Sequence, residues 1–179
     1  MRPVLMEDED VKLGIPLKED LQRLFEIYNN PAGSRFLRNP SQIFYYEDIE
    51  DLYGNMRSEK QINRLYVILF GKADEIVGSI GLYGIDLMNR FAYLAFGIDQ
   101  NYWRRGITTR AVSLMITYAF ETMDLRKIIS SVMDPNIGSK RVLEKNGFEE
   151  AGRYRKHGYV PGYGFVDEIL YEKFNEKAA

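Results

Sequence analysis

Apolar positions along the chain recur with two periods, and each change of period marks a new element. Val11 to Leu17 is a short alternating run that predicts a strand. From Lys18 to Asn30 the period becomes helical: Leu21, Leu24, Phe25 and Tyr28 share one face, and Asn29-Asn30-Pro31 stops the helix. Gly33, Asn39 and Pro40 break the pattern, so Gly33 to Gln42 is predicted as a loop. Tyr45 to Lys60 follows as a polar, weakly amphipathic helix. Three strands come next, Arg64 to Phe70, Glu75 to Tyr83 and Arg90 to Ile98, the first two joined by the turn Gly71-Lys72-Ala73-Asp74. Such a meander is antiparallel. Ile107 to Met123 is the clearest helix, with Ile107, Ala111, Leu114, Met115, Tyr118 and Ala119 on its apolar face. Lys127 to Met133 is a strand, and the strand–helix–strand order implies a parallel crossover pair. Ile137 to Asn146 is a short helix ended by Gly147, a good residue for the left-handed position past a helix. Phe148 to His157 and Phe165 to Phe174 then pair as strands around a Gly158 to Gly164 turn.

A chain of 179 residues without repeats, linkers or low-complexity tracts is expected to form one domain over 1–179, with its core between about 11 and 174. Lys+Arg 24 against Asp+Glu 26 gives a net charge of −2, which argues against a general nucleic-acid binder. With no cysteine there are no disulfides, thiolate metal sites or cysteine nucleophiles. His157 is the only histidine, so no His-rich metal cluster exists, and no nucleophile-elbow motif accompanies it. No metal is expected. No apolar run approaches the length of a membrane span. The start of the chain carries the acidic run Glu7-Asp8-Glu9-Asp10 and no signal-peptide core. The expectation is a cytoplasmic protein with no membrane partner.

The densest chemistry lies in Trp103-Arg104-Arg105-Gly106-Ile107-Thr108-Thr109-Arg110, which joins a predicted strand to a predicted helix. Glycine permits a tight turn and close backbone approach. The first N–H groups of a helix lack intrahelical partners, and the helix dipole makes that end partly positive. With two arginines beside it, the turn suits a phosphate. The bland alternative is a solvated helix start with Thr108 and Thr109 as caps.

Taken with the rest of the C-terminal half, these residues resemble the GNAT superfamily of acetyl-CoA-dependent N-acetyltransferases. The likeness is greatest to the branch with the RimJ/RimL ribosomal-protein N-terminal acetyltransferases and the spermidine acetyltransferases. It spans about Val11 to Phe174 and rests on Phe96-Gly97-Ile98-Asp99 followed by Tyr102 to Val112, on Asn136-Ile137-Gly138-Ser139, on Leu143 to Phe148, and on Val166 to Tyr171. The resemblance implies an α+β fold: a mixed, mostly antiparallel central sheet flanked by helices and splayed at the Arg90 to Ile98 strand, with acetyl-CoA in the splay. It implies that Arg104, Arg105, Gly106, Ile107, Thr108 and Thr109 hold the pyrophosphate. It implies that Phe96, Gly97 and Ile98 line the pantetheine arm, with Phe96 and Ile98 pairing to it by backbone. By the same resemblance Asn136 contacts the cofactor, and Ser139 lies near the sulfur and protonates the leaving thiolate.

Three positions depart from the family pattern. Thr108 replaces the usual Gly or Ala of the phosphate loop, Tyr93 stands where many relatives carry a glutamate base, and Leu143 stands where many carry a tyrosine. Tyr93 is therefore taken as a catalytic candidate with Ser139, while Asp86, Glu168 and His157 remain open as the base. The implied acceptor is a primary amine, either a protein N-terminus or a small polyamine. Phe36, Tyr45, Tyr46 and Tyr83 are candidate walls of its cleft, and Glu47, Asp48, Glu50 and Asp51 are either a polycation site or a solvated face. A homodimer is compatible with the branch. The rival reading is a GNAT-like module that binds acyl-CoA as a sensor or partner platform without turnover.

Overall fold

The computed structural model describes residues 2–36, 45–56 and 63–177. The predicted loop beyond residue 36 and the predicted second helix beyond residue 56 lie outside them. The strands are β1 (Val4–Asp8), β2 (Val11–Gly14), β3 (Arg64–Phe70), β4 (Glu75–Asp86), β5 (Phe91–Ile98), β6 (Lys127–Met133), β7 (Glu149–Val160) and β8 (Gly164–Phe174). They form one open sheet in the order β1-β2-β3-β4-β5-β6-β8-β7. Every junction is antiparallel except β5 with β6, the crossover pair anticipated from the element order.

The helices are α1 (Leu21–Tyr28), α2 (Pro31–Ser34), α3 (Tyr46–Met56), α4 (Ile107–Thr117) and α5 (Ile137–Lys145). On one face of the sheet, Ile107, Ala111, Val112 and Met115 of α4 pack fully buried against Leu13, Ile68, Ile80, Leu82, Leu94 and Ile128. On the other, Leu21, Leu24 and Ile49 from α1 and α3 cover Val67 and Leu69 of β3. That second layer stops over the first half of the sheet, and this leaves room for a site on the second half. Among the described residues no helix is long and apolar enough to cross a membrane.

Several sequence expectations need correction. The acidic N-terminal run hides a strand, β1, because an edge strand buries little and shows no strong alternation. Its Asp8 and Asp10 hold Arg110 of α4, whose guanidinium donates to the Asp8 carbonyl at 2.7 Å and the Asp10 carboxylate at 2.5 Å. Arg110 thus fastens the helix to the β1–β2 turn. β2 stops at Gly14 rather than Leu17. The Lys18 to Asn30 helix is α1 preceded by one 3-10 turn, Lys18–Asp20, where buried Asp20 accepts the Leu17 N–H at 2.7 Å. Pro31–Ser34, assigned in part to a loop, is a short helix capped by Asn30, whose side chain accepts the Ala32 N–H at 3.0 Å. The long helix after the arginine turn changes to a π turn at Tyr118–Thr122, with the Met123 N–H donating to the Tyr118 carbonyl at 3.1 Å. Gly158 belongs to β7 and pairs with Val166. It is glycine for a packing reason: a Cβ there would lie 2.4 Å from the Met133 side chain. The tight turn uses Gly162 and Gly164 instead, at φ 84° and 77°.

Candidate active site

β5 and β6 pair only from Phe91↔Lys127 to Tyr93↔Ile129, although β5 runs on to Ile98 and β6 to Met133. Beyond that point the two parallel strands diverge, as the expected splay requires. Ser130, only 4% exposed, sits at the fork and donates its hydroxyl to the Leu94 carbonyl at 3.0 Å. The Leu94 carbonyl therefore points toward β6. Backbone direction repeats every second residue in a strand, so Phe96 and Ile98 also turn their amide groups into the opening. The Ile98 carbonyl accepts the Trp103 indole N–H at 3.2 Å, which ties the strand end to the following turn. On its opposite edge β5 lies tight against β4. A Cβ on Gly78 would be 2.3 Å from the Gly97 carbonyl oxygen, so that approach requires glycine. A Cβ on Gly97 itself would meet nothing within 4 Å.

The turn after β5 has the properties of an anion site. Gly106 is the N-terminal cap residue of α4 at φ 77°, and Arg104 is also left-handed at φ 63°. No side chain caps α4, and its first turn holds no acidic residue. The Arg110 N–H donates to the Gly106 carbonyl at 3.1 Å and opens the helix ladder, so the N–H groups of Ile107, Thr108 and Thr109 point out of the helix end. Arg104 and Arg105 are exposed and form no ion pair with another described residue; Arg105 lies over the Tyr102 ring at 5.1 Å. Ile107 is buried in the core and anchors the turn.

α5 begins just past the end of β6, so its first turn stands on the far side of the same opening. Asn136 caps it, its side-chain oxygen accepting the Ser139 N–H at 3.2 Å. The capping role and the predicted cofactor role of Asn136 are compatible, since one oxygen can accept two bonds. Ser139 is half-buried in that first turn. Asn146, at the other end of α5, donates to the Thr109 carbonyl at 3.1 Å and locks α5 to α4. The predicted cofactor residues thus lie on β5, on the first turn of α4 and on the first turn of α5, the elements around the splay.

Tyr93 is separated from them. It projects from the opposite sheet face, half-exposed, with its ring edge-on to Phe91. The same face carries a polar cluster. Ser131, in the diverged part of β6, donates its hydroxyl to Glu168 of β8 at 2.5 Å. Glu168 is only 3% exposed, and His157 Nε2 lies 3.4 Å from its other oxygen. Nearer the helical layer, Tyr28 and Ser79 share a hydroxyl hydrogen bond of 2.8 Å. Burial, with a smaller contribution from Tyr28, pushes the Tyr83 phenol upward, so it stays protonated. Asp86 is excluded from this cluster: it lies at the far end of β5 and accepts the Asn89 N–H at 2.8 Å in the β4–β5 turn. The Asn89 backbone bond, with the Asn89 amide, holds its carboxyl below the ordinary range.

Of the predicted acidic stripe, Asp48 accepts the Tyr45 N–H at 2.7 Å, and Glu47 and Asp48 occupy the first turn of α3. Negative charge there complements the helix dipole, so this part of the stripe is accounted for by the helix itself. Ser130 and Trp103 were missed as site residues. Ser130 left a faint signal, a hydroxyl at an inward position of the alternating Ile128, Ser130, Val132 series.

Comparison with known proteins gives a consistent result. Residues 15–149 match the family model for the acetyltransferase (GNAT) domain. A curated relative, the "Probable N-acetyltransferase YjcK" of Bacillus subtilis, is 28% identical over 171 residues, covering 95% of this chain and 91% of that protein. The fold is shared with spermidine N-acetyltransferase from Vibrio cholerae, solved with CoA and spermine: TM-score 0.86, 19% identity, 96% and 99% of the two chains covered. It is shared also with ribosomal-protein-S5-alanine acetyltransferase from Vibrio fischeri, at TM-score 0.82 and 20% identity, covering 97% and 98%.

Proposed function

The chain belongs to the GNAT family of acetyltransferases, and from that premise we propose that it transfers the acetyl group of acetyl-CoA to a primary amine bound on the Glu168 face of the splay. The observation that carries this reading is the coincidence of two features. The strands part after Tyr93 and Ile129, and an uncapped, acid-free helix start with Arg104 and Arg105 stands at the end of the gap. Such a helix start and such an opening are complementary to a chain that has phosphates at one end and amide groups along its length.

The N–H groups of Ile107, Thr108 and Thr109 hold the pyrophosphate, and Arg104 and Arg105 supply charge beside it. Phe96 pairs with the pantetheine amides, and Asn136 borders the arm from α5. Acetyl-CoA supplies a thioester activated toward amines. Glu168 takes the proton that the amine must lose, directly or through one water. It is preferred to Tyr93 because it is a carboxylate held by Ser131 on the diverged strand, beside His157. A positioned base of this kind contributes roughly 10²–10⁴-fold. The nitrogen gains the acetyl group, the carbon–sulfur bond breaks, and Ser139 provides a proton for the departing sulfur. No covalent enzyme intermediate is needed, in keeping with a chain that has no cysteine.

The test is titration calorimetry with acetyl-CoA on the wild type and on Arg104→Ala/Arg105→Ala, followed by thiol release over a panel of amines. Micromolar binding, about −8 kcal/mol, weakened in the double variant and accompanied by turnover, is the expected result. An absence of binding at millimolar acetyl-CoA would overturn it. Binding with no thiol release for any amine would favour the sensor reading.

A further inference from the structure

We propose that the acceptor amine carries an anionic group of its own, a carboxylate or a phosphate, and that Arg35 receives it. This rests on the acetyltransferase reading above and narrows its substrate class.

Arg35 ends α2 and leaves the helical layer. Its side chain reaches the β7–β8 turn, where a terminal guanidinium nitrogen lies 3.5 Å from the Tyr163 hydroxyl. The guanidinium carbon is 5.7 Å from the centroid of the Tyr163 ring and 4.7 Å from that of Phe36. β8 leads from this turn back to Glu168, which pairs with Met133 at the diverged end of β6. The Arg35–Tyr163 contact therefore bridges the helical layer and the hairpin on the face that carries Ser131 and Glu168.

Partial burial without an ion pair sets Arg35 apart from Arg104, Arg105, Arg126, Arg141 and Arg155, which also pair with no described carboxylate but are exposed. Arg2, Arg23, Arg90, Arg110 and Arg153 each pair with a carboxylate. Arg35 pairs with none among the described residues, and its Nε is buried with no hydrogen-bond partner. A guanidinium has five N–H donors, and the single long contact to Tyr163 leaves most of them unused. Strong bonds to a guanidinium lie in the plane of its fork. That plane is the one in which carboxylate and phosphate bind with two parallel hydrogen bonds. An acceptor with its amine toward Glu168 and its anion toward Arg35 satisfies both groups. A polyamine would bring a second cation to an unneutralised arginine.

Because Gly164 and Glu168 are four strand residues apart, about 13 Å, the experiment uses amines of matching reach: kcat/KM is measured for 8-aminooctanoate, 6-aminohexyl phosphate, 6-amino-1-hexanol and spermidine, with saturating acetyl-CoA, on wild type, Arg35→Ala and Arg35→Lys. The expected result is a preference of about tenfold or more for an anionic amine over 6-amino-1-hexanol, as hydrogen bonds between charged groups imply. The preference should fall to within about twofold in Arg35→Ala and stay intermediate in Arg35→Lys. The better of the two anionic amines identifies the anion. Equal use of 6-amino-1-hexanol, preference for spermidine, or an anion preference that survives in Arg35→Ala would overturn the proposal. If acetyl-CoA binds but no amine is acetylated, the premise fails separately. The anion site is then read by calorimetry of N-acetyl-8-aminooctanoate and N-acetyl-6-aminohexyl phosphate on the CoA-loaded protein. Binding of either that Arg35→Ala weakens supports the site; no binding of either, or binding that Arg35→Ala leaves unchanged, refutes it.

Discussion

Replacing Gly97 by alanine should make the protein more stable and less active. Glycine inside a strand costs roughly 0.5–1 kcal/mol relative to alanine, mainly through the entropy of the unfolded chain. That gain is normally lost when the new methyl collides with something. At Gly97 it collides with nothing: no protein atom lies within 4 Å of the added Cβ, and φ is not left-handed. Gly78, one strand away, is the matched contrast, because its added Cβ would stand 2.3 Å from the Gly97 carbonyl oxygen. For a chain of this size 1 kcal/mol moves Tm by roughly 2–4 °C. Gly97→Ala should therefore raise Tm by about 1–4 °C, while Gly78→Ala lowers it, overpacking costing about 1–3 kcal/mol. The empty space beside Gly97 is, by the proposed reading, where thioester and amine meet. A methyl there displaces one reactant by about 1 Å, which can cost ~10²-fold in rate. The assays are calorimetric melting and thiol release from acetyl-CoA. A Gly97→Ala protein with wild-type kcat/KM would refute the placement of the reacting groups, and one that melts below wild type would refute the strand geometry.

Gly106→Ala forces a left-handed alanine at φ 77° with no steric contact to blame; it should cost about 1–2 kcal/mol and weaken acetyl-CoA binding in the same titration. Ser130→Ala leaves the buried Leu94 carbonyl without its 3.0 Å donor; a loss of about 1–3 kcal/mol in urea unfolding is expected, and a neutral result would mean that the fork does not depend on this bond. Tyr83 is held neutral by burial, above its ordinary value of 10.0. A group with a raised folded pKa stabilises the fold below its unfolded pKa and loses that contribution as pH rises. The urea midpoint should therefore fall above about pH 10, and Tyr83→Phe should flatten that fall.

The sequence by itself determined most of the elements and marked the residues of the proposed cofactor half of the site. Period two and period 3.6 are local properties, set by which neighbours share a face, so β3 to β6, α4 and α5 were legible. The phosphate turn was legible for the same reason: glycine, two arginines and a helix start lie within a few residues of one another. Elements with weak local signals were not. β1 is a mostly exposed edge strand, and Gly158 reads as a turn until Met133 packs against it. The acceptor half was decided only by tertiary structure. Tyr93 and Glu168 share the sheet face opposite α4, and only the assembled sheet places Glu168, not Tyr93, against Ser131 and His157. Glu168 became the favoured base because Ser131, 37 residues away, meets it from the neighbouring strand. Arg35 and Tyr163 are 128 residues apart, and no local pattern relates them. Which side chains lose their water, and which charges are left without a partner, depends on contacts far apart in sequence. Those contacts exist only once the sheet has been assembled.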